Sequence, residues 1–341
     1  MAPAGRASRQ RVFVGAAVLT AAFILLVTIR LKRQSGDDVM SSREIMNAIK
    51  NAVNYAVDNS FISTANDGKI AVKWDPNGRT YRLWKDSSSA NCSQYQTRFA
   101  LGLPRTYLVS FPGSGNTWTR YLLEAASGIF TGAVYNDKVL RQSGYLGEAD
   151  APDSGRTLVQ KTHGKAFYRR RSTMKERYEV IRADLPCILI IRNPARALIA
   201  YWKFIQIHTR DRQIAQLDEK KFKTEEFHYY VKQATITWEQ LISDRLLWSS
   251  APVHVVYYEQ LVQDPIFYVK EMLEFLRIPA DENRLRCLEN HLEGSFKRPH
   301  RNESDPYEPE EKAAMSYAVQ RVRRLLNLLG YPEMPNYEEL V

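Results

Sequence analysis

The sequence predicts an α/β protein, a mainly parallel sheet with helices on both faces. Two observations carry the prediction. Apolar runs at Tyr107–Ser110, Thr157–Gln160, Cys187–Ile191 and Val253–Tyr257 have the length and continuity of strands covered on both sides. Between and after them, apolar residues recur at three- and four-residue spacing over about 117–127, 194–208, 225–248, 264–276 and 309–329, which reads as helix. Strands separated by helical patterns imply βαβ units. Ligands of such sheets bind beyond the carboxyl ends of the strands.

The elements follow in order. Val12 to Ile29 is an uncharged apolar run flanked by Arg6, Arg9 and Arg11 before and Arg30, Lys32 and Arg33 after. It is long enough to span a bilayer. A cleaved leader is the rival reading, but the exit Thr28-Ile29-Arg30-Leu31-Lys32 lacks the small-residue cleavage pattern. The expected plan is a cytosolic tail over 1–11, a transmembrane signal anchor over 12–31, a stem over 32–102 and the main domain over 103–341. Within the stem, Ile45, Ala48, Ile49, Ala52, Val53 and Ala56 mark a helix over 41–57 that packs on the main domain or pairs with a second copy. Lys69 to Trp84 reads as a hairpin around Asp75-Pro76-Asn77-Gly78.

The chain has 341 residues, 44% hydrophobic and 25% charged, with a net charge of +10. That length suits one large domain with appendages. The charge is concentrated: 161–213 holds 13 Lys and Arg against four acids. A local basic field attracts phosphates, acidic glycans, nucleic acid or anionic lipid. Neither zinc-finger spacing nor an RNA-binding aromatic signature is present in the sequence, so nucleic acid is not the expected partner. Three cysteines form neither a metal set nor a disulfide framework. Cys187 opens an apolar strand and reads as a buried small hydrophobe, which leaves Cys92 with Cys287 as the plausible disulfide. Two sequons, at Asn91 and Asn302, suit a secretory compartment.

The stretch from Val109 through Phe111-Pro112-Gly113-Ser114-Gly115-Asn116-Thr117-Trp118 says most about chemistry. A strand, a glycine-rich turn and a helix N-terminus together make an anion site, because first-turn amides and the helix dipole both face the ligand. A ligand-free tight turn is the plain alternative. Gly115 is followed by Asn116, not lysine, so this is no nucleotide-triphosphate loop, and an ATP-dependent kinase is disfavoured.

The loop resembles the 5′-phosphosulfate loop of sulfotransferases that use 3′-phosphoadenosine 5′-phosphosulfate (PAPS). Ile190-Ile191-Arg192-Asn193-Pro194 resembles their 3′-phosphate motif, and Lys161-Thr162-His163 the Lys-Thr-His of the soluble members. Tyr257-Tyr258-Glu259 and Gly294-Ser295-Phe296-Lys297-Arg298 follow in the family's order. The match spans about 104–300. It is nearest to the sulfotransferase-like (WSCD) group named for its WSC domains, although 32–100, with Cys92 alone, holds no cysteine-rich module of that kind.

The resemblance implies a P-loop-NTPase-like sulfotransferase fold, PAPS as co-substrate, no metal, and a Golgi-membrane, single-pass type II carbohydrate sulfotransferase. Its acceptor would be a hydroxyl of a glycan, glycolipid or glycoprotein, acidic or sialylated on the evidence of charge. Pro112, Gly113, Ser114, Gly115, Asn116 and Thr117 would hold the 5′-phosphate and Trp118 would stack on adenine. Arg192, with Lys297 and Arg298 closing over, would hold the 3′-phosphate. His163 would be the general base, and Lys161, Lys165 or another basic residue would compensate charge on the leaving phosphate. Two positions depart from the soluble members. Gly113 stands where they carry a loop lysine, and Ala200 where they carry a serine. A non-catalytic binding protein with this fold is the competing expectation.

Overall fold

The computed structural model describes residues 68–164, 183–206, 219–294 and 305–340. The expected tail, anchor and stem helix lie outside them, as do Lys165, Arg169–Arg171, His208, Lys297, Arg298 and the sequon at Asn302. Among the described residues no helix is long and apolar enough to cross a membrane.

Strands β1 (Lys73–Trp74) and β2 (Ala100–Leu101) pair antiparallel, with helix α1 (Ala90–Ser93) between them. Then follow β3 (Tyr107–Ser110), α2 (Asn116–Ser127), β4 (Gly132–Ala133), α3 (Lys138–Gln142) and β5 (Gln160–Thr162). The second half holds β6 (Cys187–Ile191), α4 (Pro194–Gln206), α5 (Glu225–Trp248), β7 (Val253–Tyr257), α6 (Tyr258–Gln263), α7 (Pro265–Phe275), α8 (Glu282–Glu289) and α9 (Pro309–Leu328).

The main sheet has the order β4-β5-β3-β6-β7 and every pairing is parallel. All five residues of β6 are buried, as expected for a strand with a helical layer on each face. From β3 the chain goes out to β4 at the edge, steps back to β5 beside β3, then crosses to place β6 on the other side of β3. That reversal puts the crevice of the sheet at the end of β3. Register brings the strand ends level: Val109 faces Thr162, Ser110 faces Ile190 and Ile191 faces Tyr257.

Helix α2 starts after Gly115 and stops at Gly128, both left-handed. It buries Leu122, Leu123, Ala125 and Ala126 completely. In α5, the Thr224 hydroxyl accepts from the Phe227 amide and caps the start. Phe227, Tyr230, Val231, Ala234, Trp238, Leu241 and Ile242 form its buried side, as their spacing predicts.

Three expectations change. The strand expected at Thr157–Gln160 forms instead at Gln160–Thr162. Parallel pairing with β3 selects the polar stretch that continues into His163. The hairpin does not form. Its turn exists, with the Gly78 amide on Asp75 O at 3.3 Å and the Asn77 amide on Asp75 Oδ1 at 3.0 Å. Yet Lys73–Trp74 pairs with Ala100–Leu101 and Tyr81 with Thr97.

The stem boundary also moves. Residues from Ile70 to Arg323, with Met334–Val341, form one unit. Cys92 and Cys287 are bonded across 195 residues, and Cys187 is free and buried. Trp84 is 4% exposed, its indole N–H donating to the Tyr121 hydroxyl at 3.1 Å. The Arg284 guanidinium donates to Ala125 O and Gln96 O. Residues 70–102 are therefore part of the main domain. Arg324–Glu333 fall outside that unit; there the Tyr331 amide closes the helix end onto Leu326 O at 3.0 Å.

Candidate active site

The crevice at the end of β3 is floored by the glycine loop. Gly113 and Gly115 have φ of +82° and +83°, a region in which only glycine is comfortable. A Cβ on Gly113 would lie 2.4 Å from Ala197 O and 3.2 Å from the Ala200 Cβ. The two departures from the soluble pattern are thus one packing arrangement. The loop rests on the backbone of α4, Ala200 leaves room for it, and no lysine fits at 113. Gly115 is as close to Tyr258, whose ring would sit 2.3 Å from an added Cβ.

Asn116 turns inward. Its Nδ2 donates to Leu108 O and to Ser110 Oγ, both at 3.1 Å, so its side chain braces the loop on β3. Pro112 is buried. Thr117 is half-buried and its carbonyl accepts from the Tyr145 hydroxyl at 3.0 Å. Trp118 departs from the stacking expectation. It is 3% exposed, packs in the core, and donates its indole N–H to Leu292 O at 2.8 Å. Ser114 is 1% exposed and its Oγ has no hydrogen-bond partner among the described residues.

His163 follows β5 directly. Its Nδ1 lies 2.9 Å from Ser110 O. A carbonyl only accepts, so Nδ1 carries the proton and Nε2 is left as the basic nitrogen. The His163 amide donates to the Tyr135 hydroxyl at 2.8 Å, and the Tyr135 ring stacks on the imidazole. Burial, then the nearby Lys161 charge, pushes His163 down to about 3. Its imidazole is neutral at physiological pH. Lys161 sits on β5 opposite Leu108, half-buried, and among the described residues its ammonium makes no ion pair. Burial and then Arg120 push it down to about 8, against Glu148 and Asp137.

Behind Lys161 lies a charged cluster that the sequence did not reveal. Arg120 and Glu148 pair with both side chains fully buried. Arg120 Nε donates to Thr131 Oγ1 at 2.7 Å, and Thr131 in turn donates its amide and hydroxyl to Glu124 Oε1. Burial raises Glu124 to about 7. Spacing gives no sign that Arg120, on a helix, would meet Glu148 across a loop.

Arg192 follows β6. Its Nη1 donates to Gly113 O at 2.6 Å, its guanidinium lies 4.3 Å from the Tyr258 ring centroid, and its buried Nε has no partner among the described residues. Burial lowers its pKa, opposed by Tyr258 and Glu259. The structure therefore joins the loop, Lys161, His163 and Arg192 at one sheet edge. Sequence reading missed Ser110, Tyr135 and Tyr258. Tyr258 had a signal, since it stands first after β7. Glu259 is half-buried: its Oε1 accepts from the Asn193 amide at 3.0 Å, and burial raises its pKa. Trp202 is core at 1% exposure, Phe204 is exposed, and His291 bonds Cys287 O, away from the strand ends.

Residues 103–324 match the model of the sulfotransferase domain. The chain is similar to a WSCD family member of Drosophila pseudoobscura pseudoobscura, 34% identical over 241 residues, the match covering 67% of each chain. It is 33% identical over 238 residues to a WSCD family member of Drosophila melanogaster, again over 67% of each. Among solved structures, a sulfotransferase from Alicyclobacillus acidocaldarius aligns at 15% identity and a TM-score of 0.36, over 67% of this chain and 96% of that one. A mouse sulfotransferase complexed with PAP aligns at 14% identity and a TM-score of 0.35, over 65% of this chain and 85% of the other. With the domain model covering most of its length, the chain belongs to the sulfotransferase family, as a WSCD-like member.

Proposed function

We propose that the protein moves the sulfuryl group of PAPS to a hydroxyl of a glycan, glycolipid or glycoprotein. The observation that carries this reading is the neutral His163, held by Ser110 O with Nε2 as its basic nitrogen, beside an anion-binding loop in a sulfotransferase-family chain. Two buried polar atoms without partners among the described residues, Ser114 Oγ and Arg192 Nε, are donors of the kind that phosphate oxygens satisfy. The loop backbone, Ser114 and Thr117 would hold the 5′-phosphate; Arg192, with Lys297 and Arg298, would hold the 3′-phosphate. PAPS supplies the activated sulfuryl group.

The residues of this chain do the rest. In this reading Lys161, on β5 two residues before His163, takes the role of the lysine that Gly113 excludes. His163 Nε2 accepts the acceptor hydroxyl's proton, and the Ser110 carbonyl stabilises the imidazolium formed at Nδ1–H. Loop and strand ends hold reactants in line, and no covalent intermediate with the protein is needed.

A Golgi-membrane, type II placement with the domain in the lumen is part of the proposal. Asn91 is exposed, and the Cys92–Cys287 bond suits an oxidising compartment. The basic segment 161–213 favours an acidic or sialylated acceptor. Labelled PAPS and the full-length chain in detergent, offered an acceptor array before and after desialylation, test both parts. Transfer to glycans is expected, and equal turnover with and without sialic acid would remove the acidic acceptor. The close seat of Gly113 on α4 favours one rival, a nucleotide-binding protein without turnover. Tight PAP binding with no transfer to any acceptor would establish that rival.

A further inference from the structure

The C-terminal tail meets the rest of the domain at the start of α4. Met334, Tyr337 and Leu340 are buried, and Arg323 Nη2 donates to Pro335 O at 3.0 Å. These contacts seat a single 3₁₀ turn, Glu338–Leu340, without help from Glu339. The Glu339 carboxylate then takes two partners, the residue that caps α4 and one in its first turn. Its Oε2 accepts from Asn193 Nδ2 at 2.8 Å, and its Oε1 from Arg196 Nε at 2.7 Å. Asn193 is 3% exposed, and its other polar groups are engaged. Its amide donates to Glu259 Oε1 at 3.0 Å, its Oδ1 accepts from the Ala195 amide at 2.9 Å, and its carbonyl accepts from the Ala197 amide at 2.9 Å.

We propose that Glu339 is a positioning residue for the anion side of the crevice. Asn193 follows Arg192 directly in the chain. Ala197, whose carbonyl lies against Gly113, follows Arg196. The two groups that Glu339 grips therefore bracket a turn that carries Arg192 at one end and supports the glycine loop at the other. Arg192 Nη1 bonds Gly113 O at 2.6 Å, so a shift of this turn moves loop and guanidinium together. A carboxylate at the start of α4 also sits where the helix dipole favours negative charge. Glu339 reaches Asn193 from 146 residues away, so no spacing near Arg192 reveals it. The inference rests on the proposed use of PAPS. If Arg192 holds the 3′-phosphate, losing Glu339 weakens the grip on that phosphate and spares the rest of the nucleotide.

Titration of the full-length chain in detergent with PAP, and with adenosine 5′-phosphate, which lacks the 3′-phosphate, tests this. Glu339→Ala should weaken PAP about three- to tenfold, as when a charged bond to phosphate is loosened and not lost, and leave adenosine 5′-phosphate within a factor of about two. The ratio of the two affinities then falls. Glu339→Gln keeps one acceptor oxygen for Asn193 and should retain part of that ratio. In turnover, KM for PAPS should rise and kcat should move far less. Glu338→Gln removes the same charge from the exposed neighbour and should leave both affinities and Tm unchanged. An unmoved ratio in Glu339→Ala, or an equal loss of both nucleotides, would overturn the role. Tighter PAP binding would also overturn it, since the carboxylate would then be competing with phosphate. So would a Glu338→Gln ratio as low as that of Glu339→Gln. A wild-type chain that binds no PAP would overturn the PAPS reading and this role with it; PAP binding with an unmoved ratio would overturn this role alone.

Discussion

The ends of β5 and β6 flank the same glycine loop but are finished differently. At β5, His163 is held on two sides, by Ser110 O at Nδ1 and Tyr135 at its amide. At β6, Arg192 spends Nη1 on Gly113 O and keeps a buried Nε without a partner among the described residues, as Ser114 keeps its Oγ. A buried donor left unmet costs about 1–3 kcal/mol, so such groups mark a place completed by a ligand. On the proposed function, the protein itself sets the geometry of the proton-handling side and leaves the anion side to be completed by the nucleotide.

The largest effect should fall on the finished side. His163→Ala should reduce kcat by about 10²–10⁴-fold and leave PAP affinity within a factor of about two, since in the proposed reaction its ring serves the acceptor hydroxyl and not the nucleotide. Single-turnover transfer with PAP titration separates the two quantities. An intact kcat would place the base elsewhere and end the comparison. On the unfinished side, Arg192→Ala should act on binding. Loss of a charged hydrogen bond is worth about 1.5–3 kcal/mol, or about 10–150-fold in PAP affinity. At saturating PAPS, kcat should change far less. Equal PAP affinity in this variant would mean that Arg192 braces Gly113 and does not meet the nucleotide.

Much of this site was legible because it lies in local sequence. The strand, the left-handed glycines and the helix start are contiguous, and each follows from chain sterics. Arg192 and His163 were legible through their positions after strands. What failed was non-local. Gln160–Thr162 is a central strand with polar residues, so no apolar run marks it; its register against β3 comes from the sheet alone. The Asp75–Gly78 turn was visible, but its strand pairs with residues about 25 positions onward. Trp118 offers an aromatic at the expected place, and its burial depends on Leu292, 174 residues away. That Gly113 excludes a lysine follows from Ala197 on another helix, which no reading of the loop could supply.

The pH profile sharpens the contrast inside the β5 side. His163, depressed to about 3, stays neutral through the physiological range, so kcat/KM should show no acid limb between pH 5 and 7. Lys161, depressed to about 8, is active as the ammonium. Turnover should therefore fall about tenfold per unit once pH passes well above 8. Lys161→Arg should move that limb upward, and an unmoved limb would remove Lys161 from the reaction. Stability has its own signs. The unfolded chain protonates His163 near 6.5 and the folded chain does not, so His163 makes stability fall as pH drops below about 6.5. Glu124, raised to about 7, acts oppositely: its contribution is complete below its unfolded value and is lost as pH rises through 7.

The smallest effect tests what holds the imidazole. Ser110 offers His163 two oxygens, the carbonyl at 2.9 Å and the hydroxyl at 3.4 Å. The hydroxyl already accepts from Asn116 Nδ2 at 3.1 Å. By distance, the carbonyl fixes the tautomer and the hydroxyl serves the loop. Ser110→Ala keeps the carbonyl and removes only the Asn116 bond, a neutral pair worth about 0.5–1.5 kcal/mol. It should lower Tm slightly, lower kcat less than about tenfold, and leave the basic limb at its place. If Ser110→Ala instead matched His163→Ala in kcat with PAP binding intact, the hydroxyl would be the orienting group. Asn116 would then be the outer support of the base, and the β5 station would depend on the loop as much as the β6 station does through Gly113.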